Sequence, residues 1–399
     1  RNKMRKIYLS FFLLYLSAAA MSQTSLSNIS AWAYQLQNMN VNAIAADSTF
    51  QLIVTDYSYD GTDAMKLSSA DVATVRNSGK KYISYISIGE AENYRSYWQS
   101  GWTPGTPAWL GAENPNWPGN FKVKYWDTAW QQIIFAYIDT AAAQGFDGAY
   151  LDIIDGWYYW QHEVAVGQRV PHADSLMIDF VVRIRAHADA VTGNTNFILM
   201  PQNGEDLIYQ ADIDAAQRSQ YFAAINAVGI EDVFFIGANS MDNNYAPDTF
   251  RLHNLALYQA HGTKVFNIEY LSQAAKIQQY KDSVTHYGFV PYYCDRALDR
   301  LCSGVALGIA EEGHTALALF PNPVTGDHIE FSTDKLISEN TRIYLSDMQG
   351  RKLDITSSLA HGYGTDYNIT IPAALSDGMY ILSIQYLQGI SATRIIIER

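Results

Sequence analysis

Between residues 29 and 310 the chain alternates short apolar runs with longer amphipathic ones, eight times over. The short runs span 31–37 (AWAYQLQ), 50–58 (FQLIVTDYS), 80–89 (KKYISYISIG), 146–154 (FDGAYLDII), 196–204 (NFILMPQNG), 230–238 (IEDVFFIGA), 264–271 (KVFNIEYL) and 286–294 (HYGFVPYYC). Stretches between them, such as 128–145, 175–191 and 247–262, carry helical spacing, and Gly145 stands where a helix-ending glycine belongs. Gly79, Gly193, Gly229, Gly262 and Gly288 each fall just before or at the next run. Eight strands alternating with helices predict an α/β chain folded as a (β/α)8 barrel.

The pattern changes past GIAEEGH (308–314). Residues 316–399 hold short alternating runs, HIEFST, TRIYLSD, YNITIP, GMYILSIQ and SATRIIIE, separated by glycine-containing turns. They predict a small all-β sandwich following the barrel, which is placed at 27–310. That sandwich contains no Cys or Trp and no cluster of acids with aromatics, so chemistry is expected in the barrel.

At the other end, RNKMRKIYLSFFLLYLSAAAMSQ joins a basic start, an apolar run from Ile7 to Leu16 and small residues at Ala18–Ala20. It reads as a secretory signal peptide over 1–22, too short for a transmembrane span, with Met4 as initiator. No other apolar stretch has the length of a bilayer crossing. Export permits a disulfide between Cys294 and Cys302, and two free buried thiols fit the spacing as well.

The net charge of −13 argues against nucleic acid as a partner, because that binding rests on Lys and Arg neutralising phosphates. Residues 22–313 alone hold 17 basic and 31 acidic side chains. Such a surface attracts cations, although solubility accounts for it equally well. All nine Trp fall between Trp32 and Trp160, a concentration suited either to stacking on sugar rings or to a Trp-rich core. Five of them, Trp98, Trp102, Trp109, Trp117 and Trp126, lie in the long insert after the third strand, where they are expected to shape subsites.

Strand C-termini of a (β/α)8 barrel form one face, and catalytic groups collect there. Acids recur at those ends: Asp56 before Tyr57, Glu90 and Glu92, Asp152 and Asp155, Glu205 after Gln202 and Asn203, and Glu269; Tyr293 ends the eighth strand. Helix capping explains single cases such as Asp155, but not five strands in parallel. Zinc-hydrolase His spacings, a G-x-S-x-G elbow and phosphate-binding glycine loops are all absent from the sequence. Two carboxyls, one protonating a leaving oxygen and one acting as nucleophile or base, suffice for glycoside hydrolysis. A site for a divalent cation is the main competing use of so many oxygens.

Three stretches in order, YISIGEAENYR (85–95), GFDGAYLDIID (145–155) and MPQNGEDL (200–207), resemble the signatures of glycoside-hydrolase family 114, the endo-α-1,4-polygalactosaminidases. The resemblance covers about 29–305. It implies a barrel that cleaves α-1,4-linked galactosamine chains, cationic when not acetylated, without a cofactor or a catalytic metal. It also implies a catalytic pair of an Asp ending strand four and a Glu ending strand five, here Asp152 and Glu205. Asp56, Tyr57, Glu90, Glu92, Asp155, Trp157, Gln202, Asn203, Glu269 and Tyr293 are then expected to bind the polysaccharide. FPNPVTGDHIEFS (320–332), SDMQGRKL (346–353) and LSDGMYILSI (375–384) resemble the C-terminal sorting domain of the type IX secretion system. That implies a secreted or cell-surface protein with the secretion machinery as partner. The alternatives are a non-catalytic polysaccharide-binding barrel, or a glycosidase acting on another amino-sugar polymer.

Overall fold

The computed structural model describes residues 26–193, 196–302 and 318–398, except 321–323, 333–340, 348–350, 362–365 and 387–388. The expected leader at 1–22 and the GIAEEGH junction lie outside the described residues. The chain divides into two compact units, Arg1–Ala306 and Leu307–Arg399.

In the first unit, eight parallel strands follow one another in chain order. They are β1 (Trp32–Tyr34), β2 (Leu52–Thr55), β3 (Lys81–Ser87), β4 (Gly148–Asp152), β5 (Ile198–Pro201), β6 (Ala227–Glu231), β7 (Lys264–Tyr270) and β8 (Val290–Cys294). Strands β1 to β5 form one arc, with Trp32 opposite Leu52, Leu52 opposite Lys81, and Gly148 paired with both Ile83 and Ile198. Strands β6 to β8 form a second, with Lys264 opposite Ala227 and Phe266 opposite Val290. The arcs meet where Gln202 bridges to Gly229 and the Asn226 amide donates to Leu199 O at 2.8 Å. At the other seam the Trp32 indole donates to Val290 O at 3.1 Å, and the Leu36 amide to Leu298 O at 2.8 Å. The result is a (β/α)8 barrel.

Helices α1 (Val41–Ala46), α2 (Ser69–Asn77), α3 (Thr128–Gln144), α4 (Ala173–Thr192), α5 (Ala215–Ala224), α6 (Thr249–Ala260) and α7 (Ala274–Tyr287) follow β1 to β7. Most start on side-chain caps: Asn40, Ser68, Asp127, Asp214 and Asp248 accept the orphan amides of their first turns. Gly145 closes α3 in the left-handed region, as the sequence predicts.

Side chains alternate along a strand, so parity decides what enters the barrel. Trp32, Tyr34, Tyr150, Phe266 and Tyr292 meet ring to ring in its interior. This bulk has a local cost. A Cβ on Gly229 would lie 2.1 Å from the Tyr150 hydroxyl, so β6 needs glycine there. Gly229 therefore sits inside β6 and does not precede it, which corrects the expected sixth strand. The run 230–238 is not one strand: β6 ends at Glu231, and Phe235–Ile236 instead pair with Asn244–Tyr245 in a short hairpin.

The insert after β3 forms its own antiparallel sheet, with Asn120–Val123 central between Glu90–Glu92 and Leu110–Glu113. Trp98, Trp102, Trp109 and Trp130 pack in a continuous chain of rings beside it. The two cysteines form the Cys294–Cys302 disulfide. Among the described residues no helix is long and apolar enough to cross a membrane.

The second unit is a β-sandwich of two four-stranded sheets, as its turn spacing predicts. Its strands include His328–Ser332, Arg342–Asp347, Asp366–Thr370, Gly378–Tyr386 and Gly389–Ile397. Alternate residues Ile329, Phe331, Ile343, Leu345, Leu382, Ile384, Ile395 and Ile397 fill the space between the sheets.

Candidate active site

A cleft of about 1060 Å³ opens over the C-terminal ends of the barrel strands. Asp152 stands two residues beyond Tyr150 and shares its inward face. Its Oδ2 accepts the Tyr85 hydroxyl at 2.7 Å and its Oδ1 accepts the Ile153 amide at 2.8 Å. Ile153 itself takes φ 61°, a costly angle for a β-branched residue. The neighbouring chain leaves room for that turn only at Gly89, where a Cβ would sit 2.2 Å from Ile153 O. Burial pushes the Asp152 carboxyl up to about 8, with the Glu231 charge adding to the rise and its two donors opposing it.

Glu231 ends β6, two residues beyond Gly229 and on the same inward face. The Tyr270 hydroxyl donates to its Oε2 at 2.7 Å and the Asn203 side-chain amide to its Oε1 at 3.0 Å. Arg296 stands 4.0 Å away. The Glu231 side chain keeps 25% of its surface open, and Asp152 is likewise partly exposed. Both carboxyls line the cleft. Sequence reasoning passed over Glu231 because it read Gly229 as a turn and so placed this acid at the start of a strand.

The other acids form a frame around that pair. Asp56 and Glu92 grip the buried Arg95, at 2.7 and 2.6 Å. Burial lifts Asp56 to about 6 against the pull of that guanidinium. Glu90, fully buried, accepts Lys122 Nζ at 2.6 Å and the Asn114 amide at 2.9 Å. Asp155 lines the cleft and is exposed to it; desolvation raises its carboxyl to about 6, with Lys122 opposing the rise. Gln202, Asn203 and Trp157 also line the cleft, as do Tyr34 and Tyr270 at the ends of β1 and β7.

Four expected site residues do not line the cleft itself. Glu205 accepts Arg251 Nε at 2.6 Å and lines a cavity of about 410 Å³ that shares Asp155, Asn203, Asp206 and Glu231 with the cleft. Glu269 precedes the inward Tyr270 and so points out of the barrel, where its Oε1 accepts the Val233 and Phe234 amides at 2.8 Å each. Tyr293 follows the inward Tyr292 and turns onto Tyr280 and Lys281 of α7. Tyr57 donates to Asp63 at 2.8 Å and packs edge-on against Tyr137. Strand parity, invisible until the interior face is known, decides the cases of Glu269 and Tyr293. Among the described residues no three His, Cys, Asp or Glu side chains converge as a metal site.

Residues 15–307 match the model of glycoside-hydrolase family GH114, and residues 318–398 that of the secretion system C-terminal sorting domain. An uncharacterized protein of Deinococcus radiodurans is 38% identical over 280 residues, covering 69% of this chain and 84% of the relative. One of Methanocaldococcus jannaschii is 37% identical over 279 residues, covering 68% and 77%. Similar solved structures include Aspergillus fumigatus Ega3 in complex with galactosamine (TM-score 0.49, 18% identity, 68% of this chain and 95% of that one). The glycoside hydrolase domain of PelA from Pseudomonas aeruginosa is another (TM-score 0.49, 14% identity, 68% and 97%). A family model spanning the whole barrel, together with these sequence relatives, makes the chain a member of glycoside-hydrolase family GH114 that also carries a secretion sorting domain.

Proposed function

We propose that this protein is a secreted or cell-surface glycosidase that cleaves internal bonds of an amino-sugar polysaccharide, an α-1,4-linked galactosamine polymer, with Asp152 and Glu231 as its carboxylate pair. The observation that carries this reading is the placement of those two carboxyls at the ends of β4 and β6 in one cleft, each accepting a tyrosine hydroxyl. Glycoside hydrolysis needs two carboxyls in one cleft, one protonating the leaving oxygen while the other attacks or activates water.

Asp152, fixed by two donors, suits the nucleophile or electrostatic partner. Glu231, partly open, suits the acid/base that must exchange its proton with solvent. Glu205, tied to Arg251, is better suited to holding the frame than to moving a proton. The polymer assignment draws support from charge. Nine carboxylates and three cationic side chains line the cleft, and the ammonium of an unacetylated amino sugar is attracted there. Such an ammonium also favours ionised Asp152, so substrate binding itself prepares the nucleophile.

The test is incubation with partly deacetylated α-1,4-galactosamine polymer while new reducing ends are counted. Rapid shortening of the chains with oligosaccharides as products is the expected result. Binding without new ends would leave a non-catalytic polysaccharide-binding barrel, and cleavage only of another amino-sugar polymer would replace the substrate.

A further inference from the structure

Nearly every tryptophan of the barrel unit has found a packing partner. Trp98, Trp102, Trp109 and Trp130 pack in series, edge-on or tilted, Trp126 meets Trp160, Trp157 meets Tyr158, and Trp32 fills the barrel. Trp117 is the exception. It is 57% exposed, makes no ring contact among the described residues, and lines the cleft.

Its exposure is not that of a loose loop. The backbone around it is closed by Asn114 N to Asn120 O at 2.7 Å, Trp117 N to Asn114 O at 3.2 Å and Asn120 N to Trp117 O at 3.0 Å. The Gly119 amide donates to Glu113 Oε1 at 2.7 Å, and the Asn93 amide to Gly119 O at 2.9 Å, which ties this tip to the chain leaving β3. A large indole carried in water on this hydrogen-bonded tip forgoes the stabilisation that burial supplies elsewhere in this unit. Rigid aromatic surface loses little conformational entropy when a ligand covers it.

We propose that Trp117 is the stacking platform of a distal subsite, binding a pyranose unit of the amino-sugar chain away from the bond that is cleaved. The apolar face of the sugar lies on the indole, and its ammonium, if unacetylated, is attracted both to the ring face and to the surrounding carboxylates. This inference rests on the glycosidase reading of the cleft. It adds that recognition extends along the polymer onto the insert, so that longer chains are preferred.

The test uses the Asp152→Asn protein, in which bound oligosaccharide persists, and acrylamide quenching of indole fluorescence. Trp117 is expected to supply the readily quenched component, which Trp117→Phe removes. α-1,4-Galactosamine oligosaccharides of increasing length should shield that component once they are long enough to reach it. In the active enzyme, Trp117→Ala should lower kcat/KM by a factor that grows with chain length, to about tenfold on polymer, while Trp117→Tyr restores most of it. Cleavage of the polymer with Trp117 unshielded, or an equal loss at every length, overturns the platform and leaves the substrate reading standing. Shielding by chitosan or neutral glucan oligosaccharides but not by galactosamine ones keeps the platform and overturns that substrate. Shielding by none of them overturns both.

Discussion

The Tyr85 hydroxyl reaches from β3 to Asp152 at the end of β4 and donates to its Oδ2 at 2.7 Å. It is one of two donors that keep a buried carboxyl partly ionisable, and it sets the pH range in which the proposed nucleophile works. Removing it with Tyr85→Phe takes away a stabiliser of the charged form, so the Asp152 pKa climbs beyond about 8. The acidic limb of kcat/KM should therefore move to higher pH. A pH–rate profile of the two proteins measures this, and a profile that does not move would remove Tyr85 from the mechanism.

Asp152→Asn and Glu231→Gln are each expected to fold normally and to lose about 10²- to 10⁴-fold in turnover. Glu205→Gln should cost far less, because its carboxylate is engaged by Arg251. Turnover by the three variants on one polymer, with circular dichroism as the folding control, ranks them. Near-normal activity of Glu231→Gln together with a dead Glu205→Gln would reverse the proposed pair.

The raised Asp152 pKa also makes a stability statement. Between its ordinary value of 3.8 and about 8 the folded protein holds a proton that the unfolded chain has released. Stability must then fall as pH rises through that window, by the excess of protons bound in the folded state. Glu269, also raised to about 8 by burial, acts in the same direction. Asp152→Asn should thus be more resistant to denaturant than the parent at pH 8 and nearly equal to it at pH 4. Urea midpoints at the two pH values check the sign.

Gly229→Ala places a methyl 2.1 Å from the Tyr150 hydroxyl and should cost roughly 1–3 kcal/mol through overpacking of the barrel interior. Tyr150→Phe removes that hydroxyl, which is buried without a hydrogen-bond partner, and should recover part of the loss in the double variant. Additive losses in the cycle would mean that the two side chains do not collide.

For the tail, a chain truncated before residue 318 and expressed in a host with the matching secretion system should accumulate in the periplasm while keeping its barrel folded. Unchanged export of the truncated chain would argue for another role of the sandwich.

How far the sequence alone reached follows from which interactions are local. The strand–helix alternation, the glycine end of α3 and the alternating strands of the second unit are short-range patterns, and among the described residues eight strands and seven helices follow them, with the sixth strand shifted to Ala227–Glu231. Asp152 was legible for the same reason, since an acid closing an apolar strand before a loop is a local signal. Glu231 was not. Its place at a strand end depends on Gly229 lying inside β6, and that glycine is required by Tyr150, 79 residues earlier in the chain, across the barrel. Glu269 and Tyr293 carried the right chemistry on the wrong face, because one residue of parity turns a side chain from the cleft to the helices. Trp117 shares its composition with four other tryptophans of the insert, and only packing among those rings left it exposed. The sequence by itself determined the barrel, the sandwich and the acidic character of the cleft, all of which follow from periodicity and composition. Tertiary structure decided which carboxyls share that cleft and which indole is left exposed in it, because both depend on contacts between segments far apart in the chain.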